Sequence, residues 1–445
     1  MFITESARQI PVVHEVDICV LGGSCTGVFA AVRAARLGKK VLLVEKTNAF
    51  GGVATNGLVN VWHSELDAAH ERQIIGGLTM EVVERLRRRG QSINHLQSND
   101  VAHILNTEEL KIELDELVLE HNIIPMLHTV FCVPVVDSGT IQAVIVENKD
   151  GRQAICAKVF VDATGDGDLA ARCELPYTVS PHLQPPTTCA KIRNFMPSGF
   201  NYREMYVAHH EEFGLEMDSG WHIGVPGMEG FQMFAQTHVF GANCSDATQL
   251  TQAEMTGRRQ VRAIMDMIRK YGPQGNDMAL AELASQIGIR ETRRFEGVYR
   301  LTEEDVLHGK RFPDAIANGS YRVDVHYPEE GGYIFKYLDG TTQDYRGGQM
   351  TAGRWREEQD VNPTFYQIPY RSMVHAAVRN LILAGRMIST DTGAFGAVRV
   401  MVNLNQTGEA AGTAAVLALN AGSHVMEVRA EALRQCLAEG GSIII

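Results

Sequence analysis

Three groups of side chains in this 445-residue chain have the types and spacing that chemistry requires. In Asp324-Val325-His326 a neutral imidazole can take the proton of an alcohol near physiological pH. An acid two residues away, on the same strand face, can orient it. The same pattern also fits a histidine with a surface or structural role. Arg290, Arg293 and Arg294, with Glu291 and Glu296 interleaved, suit either a carboxylate or other anionic ligand, or a salt-bridge network between domains. Arg399, in Ala397-Val398-Arg399-Val400-Met401, stands just ahead of a polar, glycine-bearing turn, where it can touch substrate or cofactor. His238 and Tyr370-Arg371 are lesser candidates, and no spacing suggests a metal site.

Such groups need a scaffold, and the N-terminal stretch provides one. Val16-Asp17-Ile18-Cys19-Val20-Leu21 is an apolar run that breaks into Gly22-Gly23-Ser24-Cys25-Thr26-Gly27. An alanine-rich stretch follows, and then Lys40-Val41-Leu42-Leu43-Val44-Glu45. Strand, glycine turn, helix and second strand make a βαβ unit of about 30 residues, the form of a dinucleotide site. Gly22 permits a tight turn, Gly27 lets the helix approach the sheet, and a pyrophosphate can rest on the helix N-terminus. Ser24 stands where a glycine is usual, so its side chain must point away from the phosphates or bond to them. Glu45 ends the second strand, where an acid meets a ribose hydroxyl. Gly51 and Gly52 follow with bare backbone and Thr55 with a hydroxyl, placed to run along the same cofactor.

The length implies two or three domains. A formal net charge of -12 argues against nucleic acid and anionic membranes as partners. Cys19, Cys25, Cys132, Cys156, Cys173, Cys189, Cys244 and Cys436 show no paired spacing and read as reduced thiols of a cytoplasmic protein. Cys25 reads as a packing thiol. Neither a signal peptide nor an apolar run of ~18 residues is expected. Helices are expected over 76–90, 107–121 (with Thr107 as N-cap) and 251–271, and strands over 123–135, 140–147 and 154–161, with a hairpin turn at Asp150-Gly151. The passage from Pro181 to Pro197 reads as a boundary. Near the C-terminus, Asn380-Leu381-Ile382-Leu383-Ala384-Gly385-Arg386 is a strand ending in Gly-Arg, and Asn403, Asn405 and Gln406 precede an alanine-rich helix beginning near Gly408.

Taken together, the segments resemble the two-dinucleotide-binding-domain flavoproteins and, within them, the FAD-dependent oxidoreductase family. The resemblance is carried by the Gly22 to Gly27 turn with Glu45, by Gly51-Gly52-Val53-Ala54-Thr55, by Val161-Asp162-Ala163-Thr164-Gly165-Asp166-Gly167-Asp168, and by Leu383-Ala384-Gly385-Arg386 with residues 399–412. Gly288-Ile289-Arg290-Glu291-Thr292-Arg293-Arg294, Phe312-Pro313-Asp314-Ala315-Ile316-Ala317 and Asp324-Val325-His326 add a signature that looks specific to the family. It implies an α/β fold: a Rossmann-like, glutathione-reductase-like FAD-binding domain of residues 1–175 and 363–445, interrupted by an α+β substrate domain of residues 176–362. It implies FAD as cofactor. The residues expected to hold it are Gly22, Gly23, Ser24, Cys25, Thr26 and Gly27; Glu45 and Lys46; Gly51, Gly52, Val53, Ala54 and Thr55; Val130; Ala163, Thr164, Gly165 and Asp168; Gly385 and Arg386; and Asn403, Gln406, Thr407 and Gly408.

A helix N-terminus near Gly408 would stabilise negative charge on the flavin's pyrimidine side. The expected activity is hydride transfer between flavin and a small polar metabolite. Oxidation of an alcohol, sugar or hydroxy acid is favoured, with His326 as base. The alternative is reduction of an activated alkene or anionic substrate by way of Arg399 or the Arg290 cluster. A remoter one is nucleic-acid modification, which the acidic charge disfavours. Arg290, His326 and Arg399 are expected to converge on one cavity at the seam between domains. The electron acceptor and oligomeric state are left open.

Overall fold

Residues Val12–Leu21 (β1) form the strand around which the chain is built in the computed structural model, which describes residues 1–95, 102–195, 200–217, 220–273, 277–327 and 331–445. Ile18, Cys19, Val20 and Leu21 are fully buried on both faces, which explains an unbroken apolar run instead of alternation. Helix Cys25–Arg36 (α1) carries the chain over to Val41–Val44 (β2), parallel to β1. On its other side β1 pairs in parallel with Gly151–Asp162. The seven-stranded sheet runs Ile124–Met126, β2, β1, Gly151–Asp162, Thr140–Asn148, Val130–Asp137, and Leu381–Leu383 lies parallel to the end of Gly151–Asp162. The fold is thus α/β with a mixed parallel and antiparallel sheet.

The 123–135 run divides in two. At residues 127–129 the chain leaves the parallel edge for an antiparallel meander, and His128 adopts φ 50° to make the turn. The 107–121 helix is capped by Asn106, not Thr107: the Asn106 side chain accepts from the Glu108 and Glu109 amides, and an asparagine caps better than a threonine. The 251–271 helix begins earlier, at Ala247, where Asp246 caps it. The passage expected to be a boundary contains Ala190–Arg193, an inner strand of a four-stranded sheet with Trp221–Val225, Met228–Ala235 and Ala279–Leu283. Residues 196 and 197 at its end lie outside the described residues.

The alanine-rich helix near the C-terminus also begins earlier than its sequence suggests. It spans Met401–Ala421, starts directly after Arg399 and Val400, and has Gly408 near its middle. Buried polar residues in its first two turns hide the helix from a hydropathy reading. Gly408 and Gly412 lay this helix on α1: a Cβ at either would stand 2.1 Å from the carbonyl oxygen of Thr26 or Ala30. Beside them a buried Arg33–Glu409 ion pair ties the two helices, with Arg33 also donating to the Gly440 carbonyl at 2.8 Å. Glu409 accepts from the Leu78 amide at 3.0 Å. Burial pushes the Glu409 carboxyl upward, and Arg33 opposes it.

Residues 176–362 feed the large core and smaller clusters beside it. Ile192, Phe234, Ile264 and Ile268 join a small cluster of their own under helix Ala247–Tyr271. Ala315, Ala317 and Val323 join the large cluster around β1. The antiparallel meander Val323–His326, Tyr333–Lys336, Thr341–Arg346 and Gln349–Arg354 starts from that second group.

Gly408→Ala forces a methyl against Thr26 backbone. It is expected to cost about 1–3 kcal/mol of stability, the range for overpacking, read as a lower thermal unfolding midpoint; an unchanged midpoint would show that the two helices can separate freely.

Candidate active site

The turn after β1 is built from backbone. Gly22 adopts φ 96°, and a Cβ there would lie 2.4 Å from the Ala163 carbonyl oxygen. Ser24 caps α1: its hydroxyl accepts from the Gly27 amide at 3.3 Å and donates to the Ala163 carbonyl at 3.3 Å. Of the two readings left open by sequence, the side chain is turned into the protein. The Glu45 carboxylate accepts from the Gly23 amide at 2.7 Å and from the Thr47 amide at 2.8 Å, so the end of β2 and the glycine turn are locked together. Gly51 donates to the Gly23 carbonyl at 2.7 Å, and Cys25 packs its thiol against the Gly51 carbonyl. Burial pushes the Cys25 thiol up to about 12, which leaves it unreactive. Gly52 lies against Ser24, and Val53 and Ala54 form a single 3-10 turn with it. Thr55 is buried and donates to the Phe50 carbonyl at 2.6 Å, so its hydroxyl is spent inside the loop. Val130 is half exposed, one residue after Thr129, whose amide donates to the Glu45 carbonyl at 3.0 Å.

The C-terminal ends of the parallel strands are cross-linked by charge. Asp162 accepts from the Thr164 hydroxyl at 2.7 Å and the Ala170 amide at 3.0 Å, and complete burial still pushes its carboxyl up to about 6. Burial works to raise Asp166 too, but the Arg386 guanidinium, the Thr292 hydroxyl and Lys46 outweigh it and hold the carboxyl below its ordinary value. Arg386 covers Gly165, where a Cβ would come within 2.4 Å of its guanidinium. Gly385 takes φ 115° to turn the chain there. Asp168 binds Arg293 at 3.1 Å. In the long helix, Asn403 donates to the Tyr366 hydroxyl at 3.0 Å, Gln406 donates to the Asn318 carbonyl at 2.8 Å and accepts from its amide at 3.1 Å, and Thr407 donates to the Leu404 carbonyl at 2.6 Å. Asn403 and Gln406 brace this helix against the strand Ala315–Gly319 and its neighbour Tyr366–Pro369, whereas the Thr407 hydroxyl is spent inside the helix.

Arg290, His326 and Arg399 form one connected series. Arg399 binds Asp324 at 2.9 Å, and the Tyr321 hydroxyl donates to the same carboxylate oxygen at 2.9 Å. His326 Nε2 lies 3.9 Å from the other oxygen, beyond hydrogen-bond range. The His238 ring is 5.0 Å from the His326 ring, and His238 Nε2 is 3.3 Å from Arg290 Nη2. Arg290 is anchored by the Pro185 carbonyl and the Thr187 hydroxyl. Burial works against the charge on Asp324, but Arg399, His326, Arg322 and the Tyr321 hydroxyl hold its carboxyl far below the usual range. Gly396 makes the approach possible: a Cβ there would stand 2.7 Å from the Asp324 carbonyl oxygen, so helix Thr392–Val398 lies flat on the strand. Arg293 and Arg294 serve as struts, Arg293 on Asp168 and Arg294 on Glu291 at 3.3 Å. Sequence reasoning missed Gln184, whose side chain accepts the His326 amide proton at 2.8 Å, and Tyr321, whose ring lies 4.2 Å from the His63 ring at a tilt of 38°. Both come from segments with no motif of their own.

These residues fit a dinucleotide. Helices α1 and Met401–Ala421 run in the same direction, the second starting about two turns further out, with no acidic residue in either first turn and no side chain capping the second. Anionic charge is thus left for a ligand to supply. A glycine turn feeding a helix between parallel strands, with an acid closing the second strand, defines a Rossmann-type dinucleotide-binding protein. The model of the FAD dependent oxidoreductase family matches residues 17–437, and the chain belongs to that family.

Among curated proteins, the chain is 33% identical to a dihydrolipoyl dehydrogenase of Trypanosoma brucei brucei over 226 residues, covering 48% of this chain and 42% of that protein. It is 30% identical to the mitochondrial dihydrolipoyl dehydrogenase of Schizosaccharomyces pombe over 95 residues, covering 19% of each. The chain thus spans less than half the length of these relatives. Among solved structures, a geranylgeranyl bacteriochlorophyll reductase-like protein of Thermoplasma acidophilum is similar with a TM-score of 0.46 at 10% identity, covering 96% of this chain and 83% of that one. A flavoprotein/dehydrogenase of Cytophaga hutchinsonii gives 0.45 at 12% identity, covering 95% and 83%. Among the described residues, no helix is long and apolar enough to cross a membrane.

Glu45→Ala removes the acceptor that locks the glycine turn to β2. FAD affinity is expected to fall roughly tenfold or more, measured by cofactor retention on dialysis, with secondary structure retained; unchanged flavin content would remove Glu45 from the site.

Proposed function

We propose that the enzyme oxidises a hydroxyl-bearing small polar metabolite, an alcohol, sugar or hydroxy acid, with His326 as the base. The observation that carries this reading is the placement of His326 between the Asp324 carboxylate and the His238 ring, in series with Arg399 and Arg290. FAD, when bound, supplies the hydride acceptor. The protein's part is to hold the substrate carbon and to take its hydroxyl proton. His326 takes that proton, and Asp324, kept ionised by Arg399 and Tyr321, favours the imidazolium that results even without a direct hydrogen bond. Gln184 fixes the backbone of His326, so the imidazole is presented from a rigid strand. Arg290, braced by Pro185 and Thr187, brings positive charge to the far side of His238, which suits a substrate that carries a carboxylate.

Two helix N-termini would bear the pyrophosphate and the pyrimidine side of the flavin. Glu45 would receive the adenosine ribose. We assign residues 1–175 and 363–445 to the FAD layer and 176–362 to the substrate side. The return of Leu381–Leu383 to the N-terminal sheet supports the assignment. Eight unpaired thiols support a reducing, cytoplasmic location.

His326→Ala is expected to slow anaerobic flavin bleaching by about 10²–10⁴-fold, the loss typical of a general base, while FAD stays bound. A panel of polyols, sugars and hydroxy acids would identify the substrate, and bleaching at the wild-type rate in the variant would place the base elsewhere. Because the Asp324 carboxyl is lowered, its stabilising contribution is complete above the ordinary carboxylate value of about 4 and is lost only as pH falls through the lowered one. The rate profile between about pH 5 and 9 should therefore contain no limb from Asp324. Asp324→Asn should depress bleaching across that whole range; a variant that merely shifts the profile would contradict the assignment.

A further inference from the structure

Asn405 is 1% exposed, and neither its amide nitrogen nor its amide oxygen has a hydrogen-bond partner. Its neighbours Gln406 and Thr407 bond to Asn318 and Leu404. A buried amide with both ends unmet costs folding free energy that a leucine in the same place would not.

Its position shows where a partner would stand. Residues three and four apart share one face of a helix, so Asn405, Gly408 and Gly412 form a single stripe. Gly408 meets Thr26 and Gly412 meets Ala30, so the two helices run in the same direction. One turn earlier, Asn405 is level with the Gly22 to Ser24 turn at the open end of α1. Side chains on a helix lean toward its N-terminus, which carries the amide further toward that opening. The one side chain of the turn itself that could meet a phosphate, Ser24, spends its hydroxyl on Gly27 and Ala163.

We propose that Asn405 binds the cofactor, donating its amide N–H to the FAD pyrophosphate at the mouth of α1 and accepting from the adjoining ribityl chain. It supplies from the C-terminal helix a polar side-chain contact that Ser24, turned inward, does not make. The assignment rests on FAD as the cofactor and on the pyrophosphate lying at α1.

The test uses apoprotein titrated with FAD and, separately, with ADP, together with thermal unfolding of apo and holo forms. In Asn405→Leu, FAD affinity is expected to fall roughly tenfold to a hundredfold, the range for a hydrogen bond to a charged group, and ADP affinity should fall in parallel. The apo midpoint should stay level or rise, because an unmet polar group has been removed, while the gain in midpoint on adding FAD shrinks. FAD affinity changed by less than about threefold, or an apo midpoint that drops as far as the holo one, would overturn the proposal, the second outcome by showing a structural role. Weaker FAD binding with unchanged ADP binding would overturn the pyrophosphate contact. If Asn405→Leu does not fold, Asn405→Ser carries the same measurements with the same expected losses. Wild-type protein that takes up no FAD would overturn the cofactor reading and this one together, whereas wild-type uptake matched by the variant overturns this one alone.

Discussion

The structure depends on the contact between α1 and the helix Met401–Ala421. Two glycines bring the backbones of these helices together, and the Arg33–Glu409 pair is sealed beside them. A buried ion pair of this kind is weak evidence of net stability, but removing one partner strands the other in a dry interior. Its structural effect is registry. With Gly408 set on Thr26, both N-termini face the same side, and Arg399, just before the second helix, falls within reach of the strand that carries Asp324.

Charge also ties the sheet around β1 to residues 176–362. Asp166 gathers Arg386 from the C-terminal strand and Thr292 from the inserted segment, and Asp168 takes Arg293. Asp324 gathers Arg399 and Tyr321. Asp166 and Asp324 are buried and would favour their neutral forms if alone; arginines from distant parts of the chain hold both ionised. The arginine-rich motif around residue 290 is therefore divided in function, with two members spent as struts and Arg290 turned toward the histidines.

Much of this was legible in the sequence because it is written locally. The β1–α1–β2 unit needs an apolar run, a glycine turn and an acid within one short window, and Val16 to Glu45 contains all three. Arg290, His326 and Arg399, each singled out from the chemistry of its own segment, lie in series through His238 and Asp324. What could not be read is set by contacts across the chain. Asn403, Gln406 and Thr407 look like loop polarity until Tyr366 and Asn318 are seen to engage the first two, so the start of the long helix was displaced. Ser24 allowed two orientations, and only the presence of Ala163 behind it decides between them. Gln184 and Tyr321 have no spacing to announce them.

The Arg33–Glu409 pair joins residues 376 positions apart. Strand Leu381–Leu383 likewise completes a sheet begun at β1. During synthesis, then, the N-terminal βαβ unit emerges early with its apolar helix face uncovered and must wait for most of the chain before its covering helix exists. Such long-range closure slows folding and leaves sticky surface exposed on the ribosome. The contact between α1 and Met401–Ala421 therefore closes late, only after the several hundred residues between them have been made.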